Sequence, residues 1–324
     1  EYIFSHDLEK LKNKQFFINS KYRLIRWVFQ IRYLVWKQII LPFKLFFNSA
    51  DILICPDYVA PIFSTCKKIV VIHDNLFWKY PTNYPKLWRN YFIRLIQLGI
   101  FQNAEIVTTS RYSKNGLKNI FKYKKITYIY QSSQKVCKID NGNTSMAYIL
   151  HIGTFEKRKD LMTLVKAFKL FKDNTNSNLK LVLAGSKYIN GNKEVYKTIK
   201  KYISKNNLLS YVIMPGYINK KQAVYYYNNS FCYVFPSLDE GFGIPLIEAM
   251  KAQVPVICSD IEIFKEIGCD SVIYFNKQDE YDLYNKLKLI SENKTIIETL
   301  ISKGNKRANL FNQNNFIKGF EKLY

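Results

Sequence analysis

The chain has no Asp-x-Asp pair, no Cys-x-x-Cys pair and no histidine beside a cysteine. The first absence removes the usual carboxylate pair for a divalent cation, and the others remove zinc-ligand spacing. Its six cysteines, Cys55, Cys66, Cys137, Cys232, Cys258 and Cys269, stand far apart, mostly in apolar runs, and read as buried free thiols in a reducing cytosol. Long apolar runs are lacking too. The richest stretch, residues 24–47, is broken by Arg26, Arg32, Lys37, Pro42 and Lys44, which excludes a membrane-spanning helix. No G-x-G-x-x-G follows the first apolar runs, which argues against a nicotinamide-dependent oxidoreductase. Residue 1 is Glu and no signal peptide follows it, so a preceding segment is expected to be missing. Acidic residues are scarce, 25 against 49 Lys and Arg, for a net charge of +24. That balance calls for an anionic partner, such as nucleic acid, acidic lipid or a phosphorylated ligand, or for a general background of solvated lysine.

With 324 residues, 48% of them hydrophobic, the chain can bury ample core and suits two domains better than one. Over residues 21–39, Leu24, Trp27, Val28, Ile31, Leu34 and Val35 recur at helical spacing, with Arg23, Arg26, Gln30 and Lys37 on the other side. Two readings of this basic amphipathic helix stand: packing on a sheet with snorkelling cations, or lying on an acidic membrane. Beyond it, buried-strand runs at 51–55, 68–73, 105–109 and 126–130 are separated by helical patterns at 88–101 and 111–121. Residues 131–145, rich in Ser, Lys, Asn and Gly, read as a linker. The alternation restarts with strands at 147–152, 179–184, 212–214, 231–235, 254–258 and 271–275. Helices are expected at 161–171, 193–205, 220–229 and 244–251, before a helical tail. This pattern predicts an α/β protein with two Rossmann-like, doubly wound domains facing across a cleft. The expected division is 1–140, lacking its first strand, then 141–310, then a helix over 311–324 crossing back to the first domain.

The most informative segment runs from Phe235 to Met250. A strand ends there, Pro236 breaks it, Gly241 and Gly243 permit close backbone approach, and Pro245 sits in the first turn of a helix. The start of that helix favours anionic or hydroxyl-rich ligands. Glu240 in the loop and Glu248 one turn into the helix can then accept hydrogen bonds from hydroxyls, one from a sugar and one from a ribose. An ordinary strand-turn-helix with a capping Glu explains the Gly and Pro but not both acids.

Glu240 and Glu248, with seven residues between them in the setting E-G-F-G-I-P-L-I-E-A-M, resemble the signature of family 4 of the retaining glycosyltransferases, which have the GT-B fold. The run from His151 to Asp160 resembles that family's diphosphate loop, Leu183-Ala184-Gly185 its next nucleotide-facing turn, and Val70 to Asp74 its acceptor-domain strand. Trp36-Lys37-Gln38 with Leu41-Pro42 resembles a mannosyltransferase-like branch. The resemblance implies a donor site in which Glu240 contacts sugar hydroxyls, the amides of Gly241, Phe242 and Gly243 approach sugar and phosphate, and Glu248 takes the ribose. It also implies that Gly153 and Gly185 line the nucleotide loops, that Arg158 and Lys159 neutralise the diphosphate, and that His73 touches the sugar near the reacting carbon. His151 reads as loop support and Ser110 as a helix N-cap.

The implied activity is transfer of a hexose, with mannose from GDP-mannose favoured over another NDP-hexose, to a glycan or lipid-linked acceptor. The implied setting is cell-surface polysaccharide or lipopolysaccharide synthesis at the cytoplasmic face of an acidic membrane. No metal and no separate cofactor are expected, because the positive loop and helix start replace the cation. Two other readings remain, a basic nucleic-acid-binding protein and an inactive scaffold of the same fold. Gln253 stands where the family commonly has Gly, which predicts a strained turn.

Overall fold

Within Lys67–Val71 and Tyr148–Ile152, Ile69, Val70 and Val71, and then Ile149 and Leu150, are apolar and buried in succession, the pattern of parallel strands covered by helices on both sides. The computed structural model describes Val28 and residues 31–133, 148–187 and 193–324. The described chain divides into two units: one reaches Tyr128 without residues 110–112, and the other takes Ser110–Tyr112 and Ile129–Leu323. The expected boundary at 140/141 and nearly all of the expected linker lie in residues 134–147, outside the described ones.

In the first unit, residues 31–35 are helical and run through a π turn, Trp36–Ile40, into α1 (Leu41–Phe47). Pro42 has no N–H to offer an i−4 carbonyl, and the Leu41 N–H bonds back to Trp36 O, the wider spacing of a π turn. Parallel strands β1 (Ile52–Cys55), β2 (Lys67–Val71), β3 (Ala104–Thr108) and β4 (Ile126–Tyr128) follow in the order β1-β2-β3-β4. Helices α2 (Lys86–Gly99) and α3 (Arg111–Ile120) connect them. Cys55, Val70, Ile72, Ile96, Ile106 and Leu117 form the core.

The helical periodicity near residue 35 is as expected, but its faces are not. Lys37, assigned to the polar side, is buried, and its Nζ lies 2.8 Å from the Asp57 carboxylate. Val28, Ile31 and Val35, assigned to the apolar side, are exposed. A partnered cation can be buried where an unpartnered one cannot, and Asp57 in the loop after β1 supplies the partner. Among the described residues no helix is long and apolar enough to cross a membrane. Cys55, Cys66, Cys232 and Cys258 are buried free thiols, as expected, whereas Cys269 is exposed; Cys137 lies outside the described residues.

The second unit carries six parallel strands: β5 (Tyr148–Ile152), β6 (Lys180–Ala184), β7 (Val212–Gly216), β8 (Ser230–Phe235), β9 (Val256–Ser259) and β10 (Ile273–Phe275). Their order is β10-β9-β8-β5-β6-β7. The order in which strands are added therefore reverses between β5 and β8, which is where a doubly wound sheet opens a crevice at its carboxyl edge. The helices are α4 (Leu161–Asn174), α5 (Glu194–Lys205), α6 (Lys220–Asn228), α7 (Ile244–Lys251), α8 (Glu262–Gly268), α9 (Glu280–Glu292), α10 (Lys294–Ala308) and α11 (Gln313–Glu321). One buried cluster centres on Leu164, Phe168, Leu181 and Val234, and another on Tyr233, Phe235, Leu246 and Phe264.

Helix α7 ends in a complete Schellman motif: Val254 N–H bonds to Ala249 O and Gln253 N–H to Met250 O, both at 3.0 Å. The motif needs a left-handed residue at Gln253, where φ is 58°. A side chain costs about 1–2 kcal/mol in that conformation, part of which glycine gives back as entropy in the unfolded chain. Gln253→Gly is expected to raise stability by about 1 kcal/mol. The check is the denaturant midpoint at constant slope; an unchanged or lower midpoint contradicts the strained turn.

Candidate active site

The loops after β5, β6 and β7 meet backbone to backbone. Gly153 N–H bonds to Ala184 O at 2.9 Å and Gly185 N–H to Gly216 O at 2.8 Å. A Cβ on Gly185, whose φ is +151°, would lie 1.7 Å from Gly153 O, so only glycine fits this crossing. His151 lies beneath it, buried in β5, with Nδ1–H donating to Val234 O at 2.9 Å. Burial pushes its pKa down to about 4, and the nearby Lys159 charge works the same way, so the ring is neutral. A Cβ on Gly153 would meet its Nε2 at 2.7 Å. The imidazole thus supports the loop from below, as read from the sequence.

From Gly153 the chain turns through a 3₁₀ segment, Lys157–Lys159, and enters α4 at Asp160, which is left-handed with φ 45°. Leu238 N–H donates to Arg158 O at 2.8 Å and so joins this loop to the one after β8. The joining brings side chains about eighty positions apart into one ion cluster. Lys159 Nζ lies 2.5 Å from Glu240 Oε1, and Arg158 Nη1 lies 2.8 Å from Glu240 Oε2. Arg158 also donates through Nη1 to Asp239 O at 2.5 Å and through Nη2 to Glu156 Oε1 at 2.7 Å. Ser237 Oγ–H donates to Glu240 Oε1 at 2.8 Å. Lys159 Nζ stands 5.1 Å from the centre of the Phe235 ring.

Glu240 is 8% exposed. Burial pushes its carboxyl up, but the Lys159 and Arg158 charges and hydrogen bonds together outweigh that and hold it below the usual carboxylate range. Glu240 is therefore an anion at neutral pH.

Beyond it, Gly241 O accepts from Ser110 Oγ–H at 3.1 Å, and Asp239 Oδ1 accepts from Tyr112 O–H and Glu240 N–H, each at 2.9 Å. The amides of Arg111 and Tyr112 donate to the two oxygens of Glu266, at 2.7 and 2.8 Å. The Ser110 hydroxyl thus reaches Gly241, and Glu266, a carboxylate distant in sequence, takes the first two amides of α3. The Phe242 side chain is buried against Tyr130 and Phe311, so anything it gives a ligand comes from its main chain. Gly243, with φ 98°, begins α7, and Pro245 occupies its first turn, as the sequence suggested.

Glu248, half-buried one turn into α7, accepts from Tyr227 O–H at 3.2 Å. Burial pushes its pKa up, against the Tyr227 bond and the charges of Lys251 and Lys220. His73 belongs to the first unit, two residues past β2. Its Nε2–H donates to Pro56 O at 2.9 Å, its carbonyl accepts from Thr109 Oγ1 at 2.8 Å, and its ring meets Tyr58 edge-on at 5.4 Å.

Sequence reasoning passed over Ser237, Tyr227, Asp239 and Glu156, which hold Glu240, Glu248 and Arg158 in place. Ser237 and Asp239 adjoin Glu240 in sequence and were within reach of a closer reading. Tyr227, inside a run of three tyrosines on another helix, carried no signal. Among the described residues no three His, Cys, Asp or Glu side chains group as a metal-holding set.

The sequence pattern of the glycosyl transferases group 1 matches residues 134–307, more than half of the chain. The chain belongs to that family. The match spans the Glu240–Glu248 segment and the Gly153 loop, and bears out the resemblance to family 4 and its mannosyltransferase-like branch. This group 1 chain is 26% identical over 225 residues to the O-antigen chain mannosyltransferase RfbU of Salmonella typhimurium, covering 69% of this chain and 60% of that relative. It thus spans about three fifths of the length of that curated relative. Among solved structures, a glycosyltransferase from Rickettsia africae superposes with a TM-score of 0.71 at 14% identity, covering 94% of this chain and 82% of the other. Sucrose-phosphate synthase from Thermosynechococcus elongatus gives 0.68 at 24%, covering 81% and 68%. These likenesses show the fold, which is GT-B as expected.

Proposed function

We propose that the chain is a retaining hexosyltransferase that moves mannose, from GDP-mannose or another NDP-hexose, to a glycan or lipid-linked acceptor during cell-surface polysaccharide synthesis. The observation that carries this reading is the junction of the β5 and β8 loops, where Arg158, Lys159 and Glu240 gather beside the glycine turn that starts α7. A buried lysine and a half-buried arginine suit a diphosphate, which anchors the donor and gathers charge as it leaves. Glu240 then accepts hydrogen bonds from sugar hydroxyls and Glu248 from the ribose, while the amides of Gly241, Phe242 and Gly243 line the sugar and phosphate. Gly153 and Gly185 let the nucleotide approach the main chain. With the charge met by side chains and the α7 start, no metal is required.

The first unit, with His73, is assigned to the acceptor side. Retention follows from same-face attack, the leaving phosphate taking the acceptor's proton. Mannose is favoured because RfbU, the relative described above, is named a mannosyltransferase of the O-antigen chain. Peripheral contact with the inner face of an acidic membrane is supported by Ile39, Phe43 and Phe46, exposed alongside Lys44.

A thermal-shift screen across nucleotide sugars tests the reading. At a hundredfold excess over its Kd a true donor adds about 2.7 kcal/mol, a rise of several degrees in Tm. No shift with any nucleotide sugar at millimolar concentration would reject a donor site.

A further inference from the structure

A second property of the same site follows from how its charges are already paired, and it rests on the donor reading above. Both Glu240 oxygens are engaged by cations: Oε1 by Lys159 and Oε2 by Arg158. Glu156 takes the other arm of the same guanidinium. Two positive side chains therefore face two carboxylates, and the four charges cancel. Side-chain exposure is 17% for Arg158, 11% for Lys159 and 10% for Glu240, so the Glu240 pairs are little screened by water.

An arriving diphosphate needs the very N–H groups that Glu240 holds. If it takes them, Glu240 becomes a buried anion without counter-charge, which is among the costliest states a side chain can occupy. An intact nucleotide sugar relieves that cost, because the hydroxyls of its sugar offer Glu240 new donors while its phosphates take the cations. A nucleoside diphosphate takes the cations and offers nothing in return. The geometry points to Glu240, backed by Glu156, as an internal counter-anion that competes with the spent nucleoside diphosphate for Arg158 and Lys159 and yields only to a diphosphate still bearing its sugar. Once the sugar has left with the acceptor, Glu240 takes the two cations back and the nucleotide is displaced. The carboxylate thus serves donor selection and product release, beyond its contact with the sugar.

Isothermal titration of GDP, UDP and the matching nucleotide sugars into the wild type, Glu240→Gln, Glu156→Gln and Arg158→Gln tests this. Glu240→Gln is expected to bind the preferred nucleoside diphosphate about tenfold tighter and its nucleotide sugar more weakly. Glu156→Gln, at the more exposed pair, is expected to tighten the diphosphate about threefold. Arg158→Gln weakens both ligands. Diphosphate binding that is unchanged or weaker in both Glu variants, with Arg158→Gln still weakening it, overturns the counter-anion while the donor reading stands. If circular dichroism shows Glu240→Gln unfolded, Glu156→Gln alone decides in the same way. No binding of any nucleotide to the wild type, or indifference to Arg158→Gln, removes the donor reading and this inference together.

Discussion

Lys159→Met is expected to lower turnover about a hundredfold or more, the usual loss when a preorganised charge stabiliser is removed from a buried site. In the proposed reaction the leaving diphosphate gains charge in the transition state, and Lys159, buried at 8% exposure, would meet it where water cannot substitute. Part of the damage falls on stability. Breaking a buried pair by removing one partner costs about 3–5 kcal/mol, although Arg158 still holds Glu240 from the other oxygen. The two effects separate by measuring kcat and KM on folded protein and Tm on the same preparation. Lys159→Arg restores the charge and should recover much of the Tm and less of the rate, because a planar fork cannot occupy the ammonium's position. A Lys159→Met variant with normal kcat contradicts the role assigned to this cation.

Gly185→Ala is expected to cost about 3 kcal/mol or more, at the upper end for overpacking, and to abolish nucleotide binding with it. The added Cβ would sit 1.7 Å from Gly153 O, main chain against main chain, so neither loop can give way without losing the bonds at Gly153 and Gly185. Gly153→Ala is the internal control. Its Cβ would meet a side chain, the His151 ring, at 2.7 Å instead of main chain at 1.7 Å, so the loss should be smaller. Thermal melts of the two variants give the order. Equal Tm values for wild type and Gly185→Ala contradict the crossing.

Much of the fold was legible because parallel strands covered on both faces must be apolar runs. Ile69 to Ile72 and Ile149 to Ile152 announce themselves in that way, and the intervening helices show their period. Helix α8 (Glu262–Gly268) escaped notice because seven residues hold too few turns to display a period, and nothing in its N-cap, Ile261, marks a start. The faces around Lys37 were misassigned because a binary pattern treats every lysine as solvent-facing, and only the fold supplies Asp57.

The candidate site divides in the same manner. Glu240, Glu248, Gly243 and Pro245 lie in one local motif whose turn chemistry can be read along the chain. That Glu240 holds Arg158 and Lys159 at once cannot be read there. It depends on β5 and β8 lying side by side, with Tyr148 opposite Ser230 and Leu150 opposite Tyr233, a pairing that is set by the order of the whole sheet. Tyr227 reaches Glu248, and Glu266 the amides of Arg111 and Tyr112, through tertiary structure alone.

The most direct measurement is a crystal structure of the chain with its nucleotide sugar. The expected density has the diphosphate on Arg158 and Lys159, a sugar hydroxyl on Glu240 and the ribose on Glu248. Diphosphate bound away from Arg158 and Lys159, with Glu240 still gripping both cations beneath an intact donor, would contradict the account.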